Sequence, residues 1–240
     1  MTNEIFSRDA YQASTEATVV EVRDDGIVLD RTVFYARGGG QPGDTGTLRW
    51  DGGETRVADT VKSAGEVIHV LEEGAVPPPV GAAIVAEIDW ARRHTLMRTH
   101  TALHALCGVV WRDYGALVTG GNMEPGSGRM DFEFERMSGD LVGAIEATVN
   151  DELRAARDVR VNVLPRAEAF AIPDLIRTKV NLLPEGIEEI RTIEIVGLDL
   201  QADGGTHVAN TREVGRVRVT GYESKGRINK RIRIALDDAS

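Results

Sequence analysis

The amino-acid sequence predicts an α+β fold of two domains. A small β-barrel-like domain is expected over residues 1–89, followed by an α/β domain over residues 90–240 in which a long helix packs on an antiparallel sheet. Short apolar runs separated by glycine and aspartate turn signals fill the first part of the chain, and helical spacing of apolar residues begins after Asp89. The 240 residues are 42% hydrophobic and 28% charged, which is typical of a globular protein with room for two small domains.

The first domain consists of predicted β-strands, each a short apolar or alternating run bounded by turn residues. The predicted strands cover residues 17–23, 26–30, 46–50, 55–59, 67–71 and 83–89. Three consecutive prolines at 77–79 exclude a helix or a central strand between the last two, because proline fixes φ and lacks an N–H donor.

The second domain is predicted to alternate helices with strands. Asp89 is the expected N-cap of the first long helix, because apolar residues recur at helical spacing from Leu96 to the region of Arg112. A glycine-broken segment at 120–128 is expected to interrupt regular structure. The remaining predicted elements are strand 129–134, helix 139–157, strand 159–165, short helix 168–176, strand 190–196 and two strands in the basic tail.

Composition narrows the class of protein. No apolar run reaches the roughly 18 residues of a membrane-spanning helix, and the first residues lack the regions of a signal peptide, so we expect a cytoplasmic protein without a membrane partner. Cys107 is the only cysteine, which excludes an intrachain disulfide and a CxxC metal cluster. A metal ion would be held by histidine and carboxylate side chains, with Cys107 as the one available thiol.

Two short motifs predict a metal site. His100 and His104 have the i, i+4 spacing that places both imidazoles on one helix face, about one turn apart. Such a pair alone is a weak indication, since many are core or surface residues without a ligand. Asp203 and His207 flank a Gly-Gly turn later in the chain and could complete the site. Three imidazoles and a carboxylate suit one Zn²⁺ ion per chain.

Charge is unevenly distributed along the chain. The formal net charge of −10 argues against a nucleic-acid partner, but residues 208–233 carry eight Lys and Arg against two Glu. Such a basic segment could bind a phosphate backbone, with Arg227, Lys230 and Arg231 as candidate contacts. Lys230 and Arg231 also belong to a segment in which charged and apolar residues alternate, as on the polar face of an exposed strand. Charge alone therefore does not distinguish an RNA-binding surface from an ordinary exposed strand.

Three motifs in a fixed order carry a family resemblance. They are the glycine-rich segment Tyr-Ala-Arg-Gly-Gly-Gly-Gln-Pro-Gly-Asp-Thr-Gly at 35–46, His-Thr-Ala-Leu-His at 100–104 and Gly-Gly-Thr-His at 204–207. Together they resemble the editing domain of alanyl-tRNA synthetases in its free-standing form, the AlaX-type alanyl-tRNA editing proteins. The resemblance covers nearly the whole chain, and the length is similar to the medium-sized class. It implies that residues 90–240 form a zinc-dependent editing (deacylase) domain.

The resemblance implies hydrolysis of mischarged tRNA(Ala), chiefly seryl-tRNA(Ala), with glycyl-tRNA(Ala) as a further candidate. It implies that zinc orients the substrate and polarises a water or the ester carbonyl, so that zinc-bound water attacks; the proton carrier is not identified. Relatives commonly have cysteine where this chain has Asp203. We expect Asp203 to bind zinc directly. The alternatives are that its carboxylate hydrogen-bonds a ligand without touching the ion, or that it accepts a proton from the bound water. Cys107 is either another ligand or a buried core thiol.

Substrate selection requires other residues. A pocket that accepts serine and rejects alanine must hydrogen-bond one hydroxyl group. Thr119 is the predicted partner because it follows the metal-binding helix and precedes the strand that begins at Arg129, a layout similar to that of the editing proteins that this chain resembles. The Thr119 hydroxyl could equally form a local hydrogen bond with its own backbone at the end of a strand. Gly39, Gly40 and Gln41 are predicted to contact the substrate or the terminal adenosine, and the alternative is that these glycines only form a tight turn.

Two other functions remain open at this point. A zinc hydrolase of a small ester or amide would need the metal site but not the basic tail. A tRNA-binding module without catalysis would bind tRNA yet release no amino acid when loaded with zinc. The sequence does not determine the preferred amino acid, the tRNA features that are read or the oligomeric state, a monomer being one possibility.

Overall fold

The computed structural model describes residues 2–178 and 186–237. The chain divides into two units, Met1–Thr95 and Leu96–Ser240. The division falls within the first long helix, later than the boundary at residue 89 that the sequence predicts. Both units contain more strands than helices, and the predicted α+β class is confirmed. Within the part of the chain that is described, no helix is long and apolar enough to cross a membrane.

The first unit contains a closed barrel of six strands. The strands of this unit are β1 (Asn3–Glu4), β2 (Ser14–Arg23), β3 (Gly26–Leu29), β4 (Arg31–Thr32), β5 (Gly46–Trp50), β6 (Gly53–Ser63), β7 (Glu66–Leu71) and β8 (Ala83–Ile88). The order around the barrel is β2-β3-β7-β6-β5-β8, and all neighbouring pairs are antiparallel. The short strands β1 and β4 pair with each other in parallel outside the barrel.

Alternate residues of the strands fill the barrel. In β8, Ile84, Ala86 and Ile88 are buried and the residues between them are exposed, which is the two-residue period of a strand with one face in the core. Strand β6 has eleven residues where five are predicted. Its end residues, such as Lys62 and Ser63, are polar and exposed, so the apolar pattern underestimates the length of the strand.

A buried ion pair fixes the start of the first long helix, α1 (Trp90–Tyr114), within the first unit. The fully buried guanidinium of Arg93 donates to both carboxylate oxygens of Asp44 and to the carbonyls of Val33 and Ala10. These acceptors offset the cost of removing the charge from water. Asp89 accepts a hydrogen bond from the Arg92 N–H at 3.2 Å, which confirms the predicted N-cap.

The second unit contains two antiparallel sheets. Its further elements are β9 (Val118–Glu124), β10 (Ser127–Glu133), α2 (Gly139–Arg154), β11 (Val159–Pro165), α3 (Arg166–Ala171), β12 (Glu189–Ile195), β13 (Asp199–Ala202), β14 (Val217–Ser224) and β15 (Asn229–Leu236). One sheet has the order β14-β15-β10-β9 and the other has the order β11-β12-β13.

Helix α1 forms the centre of the second unit. All residues from 96 to 110 are buried, which is typical of a helix surrounded by protein rather than of one at a surface. Gly128 of β10 lies against it, since a Cβ at Gly128 would be 3.1 Å from the side chain of Leu103. The N–H of Gly126 donates to the hydroxyl of Thr99 on α1. The prediction of a helix packed on an antiparallel sheet is confirmed.

Three predicted elements need correction. The glycine-broken segment 120–128 is not irregular: most of it forms the β9–β10 hairpin, with Gly126 at a φ of +80° in the turn. Helix α2 ends at Arg154 rather than at 157, because Ala156 adopts a positive φ. The short helix predicted at 168–176 is α3, which ends before Pro173. Strand β13 has no counterpart among the predicted elements.

Candidate metal centre

The four predicted ligands converge in the second unit. His100 and His104 extend from one face of α1, and Asp203 and His207 come from the loop after β13. One nitrogen or oxygen atom from each lies within 4.8 Å of all the others. A single ion with bonds of about 2.0 to 2.2 Å can bridge atoms at such separations after small side-chain adjustments. The predicted group is therefore brought together by the fold.

The hairpin β12–β13 places Asp203 in this group. The N–H of Asp203 donates to the carbonyl of Arg191, and the Arg191 guanidinium donates back to the Asp203 carbonyl at 2.9 Å. The Asp203 carboxylate then accepts the N–H of Gly205 at 2.6 Å, which closes the turn that leads to His207. A Cβ at Gly204 would meet no atom of the described residues within 4 Å, so close packing does not account for that glycine.

Two of the three imidazoles are held in the form that binds metals. Burial lowers the pKa of His100 to about 4, and burial together with the adjacent His100 lowers the pKa of His207 well below its usual value. Both rings are therefore neutral at neutral pH, and a neutral imidazole can offer a nitrogen lone pair to a metal ion. Their Nε2 atoms face Asp203, at 3.7 Å for His100 and 3.1 Å for His207.

The carboxylates make the site favourable for a cation. Burial lowers the pKa of His104, but the carboxylates of Asp199 and Asp203 outweigh burial and raise it above the usual value. Burial raises the pKa of Asp203, but His100 and the hydrogen bond from His207 lower it well below the usual range. A negative charge fixed among three imidazoles fits a divalent ion such as zinc.

Cys107 does not belong to this group. It is absent from the set of described side chains that could hold one ion together, and burial raises the pKa of its thiol well above 9. A buried thiol that resists ionisation is a poor metal ligand. Of the two interpretations of Cys107, the structure favours the core thiol.

Comparison with known proteins identifies the family. A family model described as "tRNA synthetases class II (A)" matches residues 4–92, and one described as "Threonyl and Alanyl tRNA synthetase second additional domain" matches residues 190–233. The "Alanyl-tRNA editing protein AlaX-M" of Saccharolobus solfataricus is 35% identical over 97% of this chain and 98% of its own length. This chain belongs to the AlaX-M family of alanyl-tRNA editing proteins.

Other relatives agree with this assignment. The AlaX-M protein of Methanosarcina barkeri is 36% identical over 99% of the chain and 100% of its own length. The "Alanine--tRNA ligase" of Pyrobaculum neutrophilum is 36% identical over 92% of the chain, which corresponds to 25% of that ligase. The AlaX-M chain is therefore similar to one part of a much larger synthetase, as the three sequence motifs predict.

The predicted substrate residues of this AlaX-M chain lie in different units. Thr119, on β9 in the second unit, is exposed and donates its hydroxyl proton to Oδ1 of Asn229 at 2.8 Å. Gly39 and Gly40 have positive φ values of 56° and 84°, in a tight turn closed by mutual backbone hydrogen bonds between Gly38 and Gln41. This turn explains the two glycines by backbone conformation; contacts with substrate remain a prediction.

The predicted RNA contacts differ in how they are held. Lys230 is buried, and its ammonium donates to the carbonyls of Gly226 and Arg227. Arg231 donates two hydrogen bonds to the carboxylate of Asp131. Arg227 is exposed, and no ion pair joins it to another described residue. Arg227 is thus the member of the trio that presents its charge to solvent, and all three contacts remain predictions.

Three residues near the metal-binding group have no place in the sequence prediction. Thr101 lies 3.2 Å from Nδ1 of His207, Arg191 holds the backbone of Asp203, and Asp199 lies 3.2 Å from Nδ1 of His104. Thr101 directly follows a ligand in the sequence. Arg191 and Asp199 become neighbours of the ligands only through the β12–β13 pairing, so prediction of that hairpin is the signal that would find them.

Proposed function

We propose that this chain is a trans-editing hydrolase that cleaves the ester bond of mischarged tRNA(Ala). Its chief substrate would be seryl-tRNA(Ala), with glycyl-tRNA(Ala) as a second candidate, and its products would be the free amino acid and tRNA(Ala). One observation carries the proposal: three buried imidazoles and a half-buried carboxylate form one group in a chain whose full-length relatives are named alanyl-tRNA editing proteins.

In this proposal, His100, His104, Asp203 and His207 hold a single zinc ion. Bound zinc would act as a Lewis acid on the ester carbonyl and would lower the pKa of water at the reacting bond. The chain itself keeps His100 and His207 neutral by burial, so that no proton competes for the nitrogens of these two ligands near neutral pH. Arg191 fixes the Asp203 backbone and so orients its carboxylate.

Serine would be selected through Thr119. Because the Thr119 hydroxyl donates to Asn229, its oxygen remains able to accept a hydrogen bond from the hydroxyl of a seryl group. Alanine has no such donor and would leave that oxygen unpaired once the tRNA covers it. We propose in addition that Gly39, Gly40 and Gln41 contact the terminal adenosine and that Arg227 contacts a phosphate of the tRNA.

Deacylation measurements test the proposal. Seryl-tRNA(Ala) and alanyl-tRNA(Ala) are incubated with zinc-loaded protein, and the loss of each amino acid is followed over time. We expect fast release of serine with alanine retained, and loss of serine release in His100→Ala. His94→Ala, a histidine on the same helix outside the metal-binding group, is the matched control and retains wild-type activity.

The same assay separates the alternatives. Tight tRNA binding without release of either amino acid by zinc-loaded protein would indicate a binding module and would contradict the proposal. Hydrolysis of a small ester together with no activity on either charged tRNA would indicate a general metal hydrolase.

A further inference from the structure

A second carboxylate lies directly behind one of the ligand histidines. The side chain of Asp199, the first residue of β13, is fully buried. Its Oδ2 lies 3.2 Å from Nδ1 of His104, a nitrogen that makes no hydrogen bond with a described residue, and accepts a 2.6 Å hydrogen bond from Gln201. Its Oδ1 has no hydrogen-bond partner among the described residues. Asp199 therefore lies beside His104, and its carboxylate is able to accept a further hydrogen bond.

One arginine balances this buried charge. Arg177 lies with its Nε 3.7 Å from Oδ1 of Asp199, and its guanidinium carbon is 4.8 Å above the ring of Trp111. Neither Nε nor Nη1 of Arg177 hydrogen-bonds to a residue of the described ranges. A buried ion pair with few hydrogen bonds gains little stability after desolvation, so folding alone gives weak reason to place a carboxylate here.

The contact with His104 supplies a functional reason. An imidazole that binds a metal through Nε2 carries its proton on Nδ1, and a carboxylate that accepts this proton fixes both the tautomer and the ring orientation. His207 has a comparable arrangement with a neutral partner, since its Nδ1 lies 3.2 Å from the hydroxyl of Thr101. In His104 the partner is charged and therefore a stronger acceptor.

We propose that Asp199 is a positioning residue of the metal centre, which accepts the Nδ1 proton of His104 and so presents Nε2 to the ion, while Arg177 balances its charge. The inference rests on the metal site of the proposed function but on no property of the tRNA substrate. Asp199 does not touch the ion or the reacting ester; it acts through His104.

The variant Asp199→Asn tests this role. An asparagine can turn its NH₂ group toward Nδ1 of His104, which stabilises the tautomer with the proton on Nε2 and competes with metal binding. We expect zinc affinity, measured by competition with a chelator, to fall by about 10- to 100-fold. Asp131→Asn is the matched control, because Asp131 also pairs with an arginine in this unit, Arg231, and is not in contact with the ligands. Its zinc affinity should equal that of the wild type.

A measurement on the wild type keeps the proposal testable if the Asp199 variant does not fold. Nitrogen-15 NMR of the zinc-loaded protein should show zinc on Nε2 of His104 and an exchange-protected proton on Nδ1. Zinc on Nδ1, or zinc affinity of Asp199→Asn within twofold of the wild type, would overturn the proposal. Neither measurement involves tRNA, so zinc-binding protein that fails to deacylate seryl-tRNA(Ala) would count against the proposed function alone.

Discussion

At the scale of single residues, Asp203 is the oxygen donor of the candidate metal-binding group. Its carboxylate is held by the N–H of Gly205 and lies among three imidazoles, which keep its pKa well below the usual range. An oxygen ligand is harder than a thiolate, so a site with three histidines and an aspartate distinguishes less sharply between zinc and ions such as Co²⁺ or Mn²⁺ than a site with a cysteine would.

The variant Asp203→Cys tests direct ligation at this position. If residue 203 binds the ion, a thiolate there should increase the preference for zinc over Mn²⁺ by at least tenfold, because soft ligands favour zinc. Asp203→Ala should weaken zinc binding, with chelator competition as the measurement for both variants. Unchanged zinc affinity in Asp203→Ala would show that the carboxylate is not a ligand.

His69 predicts a pH dependence of stability. This fully buried histidine has its Nδ1 and Nε2 engaged by the Ile27 carbonyl and the Thr32 hydroxyl, and burial lowers its pKa to about 4. Because the folded pKa lies below the unfolded value, the unfolded chain binds more protons between about pH 6.5 and pH 4. The stabilising effect of neutral His69 is therefore present above about pH 6.5 and decreases as the pH falls towards 4.

The measurement is urea unfolding of metal-free protein at pH 7.5 and pH 5. The free energy of unfolding of the wild type should fall by about 2 kcal/mol more than that of His69→Gln over this interval, because the variant lacks the imidazole at position 69 whose pKa is lowered on folding. His94→Gln should behave as the wild type does. Equal losses in the wild type and His69→Gln would contradict the role assigned to His69.

At the scale of elements, the contact between α1 and β13 connects the helix to the metal-binding loop. A Cβ at Gly108 of α1 would lie 2.9 Å from Cβ of Asp199 and 3.1 Å from the carbonyl oxygen of Leu198. Gly108 therefore permits close approach of the strand that carries Asp199. The helix sequence shows a glycine but gives no sign of this neighbour, since the two positions are far apart in the chain.

Gly108→Ala should destabilise the protein. Alanine has a helix propensity about 1 kcal/mol more favourable than glycine, but overpacking costs about 1 to 3 kcal/mol, so we expect a net loss and a lower Tm. Gly143→Ala on α2 is the control, because a Cβ there meets no atom of the described residues within 4 Å. This control should raise the Tm, and a similar rise in Gly108→Ala would contradict the close packing.

Sequence periodicity predicts the elements whose packing follows their own pattern. The alternation of β8 and the apolar spacing of α1 identify a strand and a helix correctly. Strand β13 escapes prediction because Asp199–Ala202 is only four residues long and its pairing with β12 is decided by tertiary structure. The four candidate ligands can be predicted from their spacing in two motifs, while Asp199 and Arg191 cannot, because they become neighbours of the group only through the pairing of β12 with β13.

At the scale of the whole molecule, the net charge of −10 conceals a basic tail whose charges are mostly paired internally. Arg231 and Arg233 pair with Asp131 and Glu223, and Lys225 also pairs with Glu223. Composition counts these groups as available for RNA, whereas in the fold Arg231 and Arg233 of β15 are paired with carboxylates of the neighbouring strands β10 and β14. The number of free positive charges, and hence the strength of RNA binding, cannot be predicted from the count.

Arg227→Ala should therefore weaken tRNA binding, because Arg227 is exposed and its charge is not paired with a described carboxylate. If Arg227 contacts one phosphate, its loss should reduce the slope of log K against log salt concentration by about one. Arg154→Ala, an exposed arginine on α2 that pairs with Asp151, should leave the slope unchanged. Identical slopes for the wild type and Arg227→Ala would exclude the phosphate contact.

We propose that one metal ion, held by His100, His104, Asp203 and His207, is required for editing. The most direct test is titration of zinc into metal-free protein while serine release from seryl-tRNA(Ala) is followed. We predict that activity rises in proportion to added zinc and reaches its maximum at one ion per chain. Full activity in the metal-free protein, or a maximum at two ions per chain, would contradict the account.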